Sequence, residues 1–446
     1  VLVGFAAVIA MTSVATGLTG VSVAPADLPP IAAYSYSASS YDTVVADAPS
    51  GSGTSAVAPG SLLGSIAGLS AAAVPGFVSA HKADLDRMLV TPPRAGDVSA
   101  VWRLLDPVKQ AALVAEAPHV IGNLEGIPYS VRGKANAIDL SRTIASTTER
   151  LTTENGKAVR LELERRLTTL DNVKKALTVK DGVKRTLVNL DTSDDARASI
   201  VVGDLSTARY VSVLVPGMYM SVGEQIVDWA KVAQNLHDEQ TAFLHRLLGP
   251  RSSGGAPGVA VVAWIGYQTP VLTNIGGMQL AEEGADSLER TLVGIQELRK
   301  ENPPYLSVLA HSYGSTAALL ALQRHTVTVD ALALMGSPGS DAQSVQQLSV
   351  RGGNVFVGQA DLDPVVHSAF FGSDPGSASY GAQRMDVGGA VDPITGKSLS
   401  GSSGHNEYFT AGTECMRNLA MIGIDQGRLV ISGTGSSGGV VTASAR

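Results

Sequence analysis

The chain has one cysteine, Cys415, in 446 residues. An internal disulfide and a thiolate zinc site are thereby excluded, and Cys415 is read as a small buried apolar side chain in a helix. There is no basic surplus either. A formal charge of -7 spread over this length leaves no stripe of cations to neutralise phosphates, so nucleic acid is not expected as a partner. The histidines and acids form no H-E-x-x-H pattern, and no metal or other cofactor is expected. Charge is also missing from "VLVGFAAVIAMTSVATGLTGVSV", since Asp27 is the first ionisable side chain. That stretch, with Ala24-Pro25-Ala26 behind it, reads as a signal peptide or a membrane anchor over 1–26. An exported protein of the cell envelope or extracellular space is expected, with membrane association through this segment.

Beyond residue 26 the chain divides by texture. Residues 27–77 are rich in Ala, Ser, Gly and Pro, as in "ADAPSGSGTSAVAPGS", and bury too little apolar area to offset ordering entropy. They read as a linker, with a short amphipathic stretch near Leu62 to Leu69. Residues 78–190 show helical spacing: Val98, Val101, Trp102, Leu105 and Val108 share a face that bends at Pro107, and "AVRLELERRLTTLDNVKKAL" alternates charge with leucine. A helical subdomain, offered as a cap over an acyl site, is expected here. From 191 to 431 strand and helix alternate: "RYVSVLVPG", "GVAVVAWIG", "YLSVLAHS", "VDALALMGSPG" and "GNVFVGQADLDP" are apolar runs separated by helical stretches. Such runs predict a mostly parallel sheet covered by helices on both faces, an α/β fold. Residues 432–446 read as a flexible tail.

In a sheet of this kind, sites gather at the carboxyl ends of the strands. Ala310-His311-Ser312-Tyr313-Gly314 lies there as a variant of the Gly-x-Ser-x-Gly nucleophile elbow, with Ala310 in the first glycine position. An elbow serine needs an orienting acid and then a histidine later in the chain. Asp361 and Asp363 both follow the next suitable strand. Asp363 is preferred because Pro364 fixes the turn beyond it, and Asp361 remains the alternative. Of the two histidines beyond these acids, His405 lies in a loop before an apolar helix, whereas His367 is too close to Asp363 in sequence to bridge it to another strand. His405 is the expected base and His367 a rim residue. His311 is expected to hydrogen-bond beneath the elbow.

The backbone N–H groups of Tyr313 and Met218 are the expected oxyanion donors, with Gly217 setting the turn. Tyr219, Trp264 and Tyr267, with Gly217, are candidates for the substrate pocket, core packing being the alternative. The chemistry expected of this set is acyl transfer from an ester or acyl-lipid to Ser312, followed by release to water. An acyltransferase using another hydroxyl, or a non-catalytic envelope scaffold on the same fold, are the other readings. Composition leaves the oligomeric state open.

"VWRLLDPVKQAALVAEAPHVIGNLEGIPYSVRGKAN", followed in order by "VLVPGM", "AWIGYQTP", "AHSYGS", "MGSPGS", "DLDPV" and "HNEYF", resembles an actinobacterial α/β-hydrolase family long catalogued as a domain of unknown function. The resemblance covers roughly Val98 to Ile424. It implies an α/β-hydrolase fold with a helical N-terminal extension, a triad on Ser312, Asp363 and His405, and a cell-envelope setting. Ala310 departs from the glycine usual in that family.

Overall fold

The computed structural model describes residues 61–179, 182–193, 195–249 and 258–432. The expected leader, the expected linker up to residue 60 and the tail from 433 lie outside the described residues.

Eight strands form one sheet in the order β1-β2-β4-β3-β5-β6-β7-β8. They are β1 (Arg185–Asp191), β2 (Arg197–Gly203), β3 (Tyr210–Val215), β4 (Val259–Ile265), β5 (Tyr305–His311), β6 (Ala331–Met335), β7 (Val355–Gly358) and β8 (Gln383–Met385). Strand β2 runs antiparallel to both β1 and β4, and every other pairing is parallel. The apolar runs of β3 to β7 are buried on both sides, as a sheet covered twice requires. Successive side chains alternate between two cores. Val213 and Val215 face a cluster with Leu288 and Leu319, while Leu214 faces a second with Ile226 and Leu419.

The first of these layers is helices α10 (Gln279–Leu298) and α11 (Tyr313–Gln323); the second is α9 (Val222–Leu248) and α12 (Glu414–Gly423). Cys415 is fully buried in α12, and loss of hydration pushes its thiol pKa up, which makes it an inert packing residue.

Register does the positioning. Val215 pairs with Ala310, His311 with Met335, and Met335 with Gly358, so β3, β5, β6 and β7 all stop at one level. The segments after them, beginning at Pro216, Ser312, Gly336 and Gln359, emerge side by side.

The N-terminal region differs from expectation in two places. Residues 61–77, expected as linker, hold α1 (Leu62–Gly68) and the start of α2 (Val74–Ala80), with Ile66 and Val74 buried among Leu85, Trp102 and Leu113. Alanine-rich sequence becomes helix once a partner face exists, because packing supplies what composition does not. The sheet also begins earlier than residue 191, since β1 starts at Arg185.

Helices α3 (Lys82–Val90), α4 (Ala95–Leu104), α5 (Pro107–Glu116), α6 (Pro118–Asn123), α7 (Tyr129–Thr153) and α8 (Lys157–Leu177) complete the region. Pro107 is the first residue of α5, and Asp106 caps it by accepting from Val108 N and Lys109 N.

This region covers the β1 edge. Asn123 Oδ1 accepts from Leu190 N at 2.8 Å and its Nδ2 donates to Leu190 O at 2.9 Å, replacing the strand that an edge lacks. Asn136 Nδ2 donates to Leu187 O in the same way. Its approach toward the carboxyl end of the sheet is Asn172 Nδ2 on Gly223 O, and among the described residues it makes no hydrogen bond to Ser312, Asp363 or His405. An unpaired edge strand is the stronger demand on such a region, because its free N–H and C=O groups invite association.

Candidate active site

Ser312 joins β5 to α11 with φ 53° and ψ -132°. A non-glycine residue held there costs on the order of 1–3 kcal/mol, and the neighbours fix it. Ser312 N donates to Met335 O, Ser315 N and Ser315 Oγ both donate to Ser312 O, and Ser315 Oγ also contacts Ser337 Oγ. Small residues make the turn fit. A side-chain carbon on Gly314 would fall 2.2 Å from Pro216 O, and one on Gly217 would fall 2.6 Å from Ser312 Cβ. Ala310, by contrast, is accommodated with no exposure in mid-sheet. Gly314→Ala is therefore expected to lower the melting temperature by several degrees, since overpacking typically costs about 1–3 kcal/mol. Thermal unfolding followed by circular dichroism checks it, and an unchanged midpoint would show that the helix and the Pro216 loop separate freely.

His405 Nε2 lies 2.8 Å from Ser312 Oγ, and His405 Nδ1 lies 2.8 Å from Asp363 Oδ1. All three are buried, with exposures of 3%, 1% and 4% for Ser312, His405 and Asp363, so these bonds operate with little water to compete. Asp363 also accepts from Val365 N at 2.8 Å and from the Tyr408 hydroxyl at 2.6 Å. Burial alone would raise its pKa. The bond and charge of His405, with the Tyr408 and Val365 donors, more than offset that and hold the carboxyl below its ordinary value.

His311 lies under the loop that carries His405, donating from Nε2 to His405 O at 2.7 Å, with its ring against those of His405, Tyr408 and Phe409. Lost hydration, then the neighbouring His405, push its pKa down to about 3. It stays neutral and keeps that one N–H bond.

The remaining sequence-predicted residues divide. Neither Met218 N nor Tyr313 N is spent on another acceptor among the described residues, and Gly217 brings the first of these loops against the serine. Tyr219, with φ 59° and 36% exposure, lies at the rim, its N–H donating to Pro270 O. Trp264 and Tyr267 are not at that rim. Both are 1% exposed in the core, stacked 5.7 Å apart. Tyr267 instead donates its hydroxyl to Pro216 O at 2.8 Å, bracing the loop that carries Gly217 and Met218. Large aromatic bodies gain more from burial than from lining an opening, and the hydroxyl finds its partner inside.

Asp361 is exposed, and His367 points to Asp374 at 2.9 Å, away from the serine. Among the described residues no group of three His, Cys, Asp or Glu side chains is arranged to hold a metal.

Sequence reasoning passed over Tyr408, Ser337 and Gly336. A side-chain carbon on Gly336 would lie 2.7 Å from Asp363 Oδ2 and 3.1 Å from His405 Cε1, so only glycine leaves room there for Asp363 and His405. The signal for Tyr408 was its place three residues beyond His405, within "HNEYF".

Residues 191–373 match an α/β-hydrolase family. The chain is 28% identical over 395 residues to an uncharacterized protein of Mycobacterium tuberculosis, covering 77% of this chain and 58% of the relative. It thus spans little more than half of that relative's length. An uncharacterized protein of Mycobacterium bovis is 29% identical over 207 residues, 46% of this chain and 74% of the relative. Among solved structures, an esterase of the archaeon Pyrobaculum calidifontis aligns over 63% of this chain and 96% of its own, with 12% identity and a TM-score of 0.31. An S-formylglutathione hydrolase of Agrobacterium tumefaciens aligns over 56% and 97%, with 8% identity and a TM-score of 0.32.

Proposed function

We propose that this chain, whose residues 191–373 belong to an α/β-hydrolase family, is a serine hydrolase that cleaves a carboxylic ester through an acyl-enzyme. The observation that carries this reading is the continuous hydrogen-bonded line from Ser312 Oγ through His405 to Asp363, at 2.8 Å for each step. In the proposed cycle His405 Nε2 takes the hydroxyl proton as Ser312 Oγ attacks the ester carbonyl. Asp363 holds the ring so that Nδ1 carries its proton, and stabilises the imidazolium that forms. The oxyanion meets the N–H groups of Met218 and Tyr313, whose positions are fixed before reaction by Tyr267 and by the elbow. His405 then returns its proton to the leaving alcohol, and water repeats the sequence to free the acid.

A lipid-like acyl group is favoured for the substrate. Support comes from Phe371, half-buried against the Tyr313 ring, and from Phe370 packed on Phe371. Nitrophenyl esters of increasing chain length test this: kcat/KM is expected to rise from acetate toward medium chains. A profile that falls steadily from acetate would point to a small acyl group. Acyl transfer shares the first half-reaction, and product analysis with an added alcohol separates it from hydrolysis.

Tyr408 supplies a pH prediction. Removing its donor in Tyr408→Phe leaves the Asp363 carboxylate more basic and the His405 imidazolium better stabilised. The acid limb of kcat/KM should then move to higher pH by a fraction of a unit, because the lost bond acts on Asp363 and only the part of it that depends on the neighbouring charge reaches the rate. A rate profile that falls without moving along the pH axis would mean that the hydroxyl serves packing only.

A further inference from the structure

The loop over 216–220, which leaves β3, holds Met218 against the elbow. It is gripped by the segment over 266–278 that leaves β4. Tyr267 donates its hydroxyl to Pro216 O at 2.8 Å, and Tyr219 N donates to Pro270 O at 3.1 Å. Thr269 makes a double link, because one hydroxyl works in both directions: its Oγ1 accepts from Met220 N at 3.0 Å and donates to Met220 O at 3.1 Å. These bonds fall on Pro216, Tyr219 and Met220, to either side of Met218, and none of them uses Met218 N. The loop needs support from outside itself, since Tyr219 is held at φ 59°, where a tyrosine does not stay unaided.

The gripping segment has its own anchor. Asn274 Oδ1 accepts from Val271 N, Ile275 N donates to Val271 O, and Gly277 N donates to Asn274 O, so the chain turns tightly and ends against Tyr313. The Tyr313 hydroxyl donates to Gly277 O at 2.6 Å and accepts from Ala281 N at 3.0 Å. Tyr313 is buried at the start of α11, directly after Ser312, and its N–H is the second oxyanion donor of the proposed cycle. One segment thus runs from the side chain of one donor residue to the loop that carries the other. Spacing between the donors is what such a site must hold, because a donor acts only when it stands about 2.7–3.1 Å from the developing charge. A loop tied down for stability alone would have its N–H groups satisfied throughout. This one is satisfied at Tyr219 and Met220 and left open at Met218.

We propose that Thr269 is a positioning residue of the oxyanion site, setting through Met220 where the Met218 N–H stands relative to Ser312. This rests on the hydrolase reading above, and Thr269 acts on the reaction only through the loop. Valine at 269 keeps the size and branching of threonine but neither donates nor accepts, so the Met220 end of the loop is released while Tyr267 still holds the Pro216 end. Serine keeps the hydroxyl and with it the link.

The test combines nitrophenyl ester hydrolysis with inhibition by an alkylboronic acid, whose boron bonds Ser312 Oγ in a tetrahedral adduct with a hydroxyl where the oxyanion would sit. In Thr269→Val, kcat is expected to fall by about 10- to 100-fold with little change in KM, the loss that a donor misplaced by about 1 Å produces. The inhibition constant of the boronic acid should rise by a similar factor. The acid limb of kcat/KM should keep its place, because the bonds among Ser312, His405 and Asp363 are untouched. Thr269→Ser should recover most of the loss. Tyr267→Phe keeps the buried ring and releases the Pro216 end, which gives a second reading of the same effect should the valine variant not fold. A hydroxyl serving stability alone would lower the melting temperature and leave kcat and boronic acid affinity parental in the folded variants. That result, or an equal loss in Thr269→Ser, would overturn the proposal while the parent still hydrolyses its ester. A parent that neither turns over ester nor takes a fluorophosphonate label would overturn the hydrolase reading, and this inference with it.

Discussion

Ser312→Ala is expected to lower ester turnover by on the order of 10⁶, leaving only what binding and the oxyanion donors supply. The size of the effect reflects the group that the substitution removes. Ser312 Oγ is the hydroxyl that lies 2.8 Å from His405 Nε2, and a methyl group there can neither attack a carbonyl nor give up a proton. Stability should change little, since Ser312 is held by its backbone: its N–H bonds Met335 O, and its carbonyl accepts from Ser315. A variant that folds like the parent and retains more than about one part in a hundred of its turnover would place the nucleophile elsewhere.

Asp363→Asn should be the second largest loss, about 10⁴ in kcat with binding nearly unchanged. Asp363 is an acceptor only: His405, Tyr408 and Val365 all donate to it. An amide must present an NH₂ to one of those donors. If it faces His405, the ring is driven into the tautomer that carries its proton on Nε2, toward the serine, where it cannot act as a base. The same carboxyl gives a stability signature. Its folded pKa is lowered, so its contribution is complete above the ordinary carboxylate value of about 3.9 and is lost as pH falls through the lowered folded value. Acid unfolding of Asp363→Asn should therefore be less steep than that of the parent in that window. Equal slopes would mean that the group titrates alike in both states.

The parts of this molecule that could be read in advance are those where one physical demand dominates. Strands β3 to β7 are continuous apolar runs because both of their faces are buried, and they showed as such in the chain. The elbow was visible because a strand-to-helix turn with close backbone approach tolerates few residue types at Gly314. Strands β1 and β2 were less legible. In "RTLVNLD" Leu187 and Leu190 meet a dry core, while Asn189 reaches Asn123 and the strand's edge bonds Asn123 and Asn136, so the apolar pattern is interrupted where a two-sided strand would continue it. Trp264 and Tyr267 looked like pocket residues from their place at a strand end. Strand position sets the level along the sheet, not the face or the depth, and packing took both rings inward. Tyr408 and the edge-covering role of Asn123 depend on contacts 45 and 67 residues apart in sequence, which no local pattern carries.

The most direct test of the central claim is labelling with a fluorophosphonate probe, which reports an activated serine whatever the substrate. The parent protein should be labelled at Ser312, identified by peptide mass, with labelling lost in Ser312→Ala and in His405→Ala. A folded parent that stays unlabelled, or carries the label at another residue, would contradict the account.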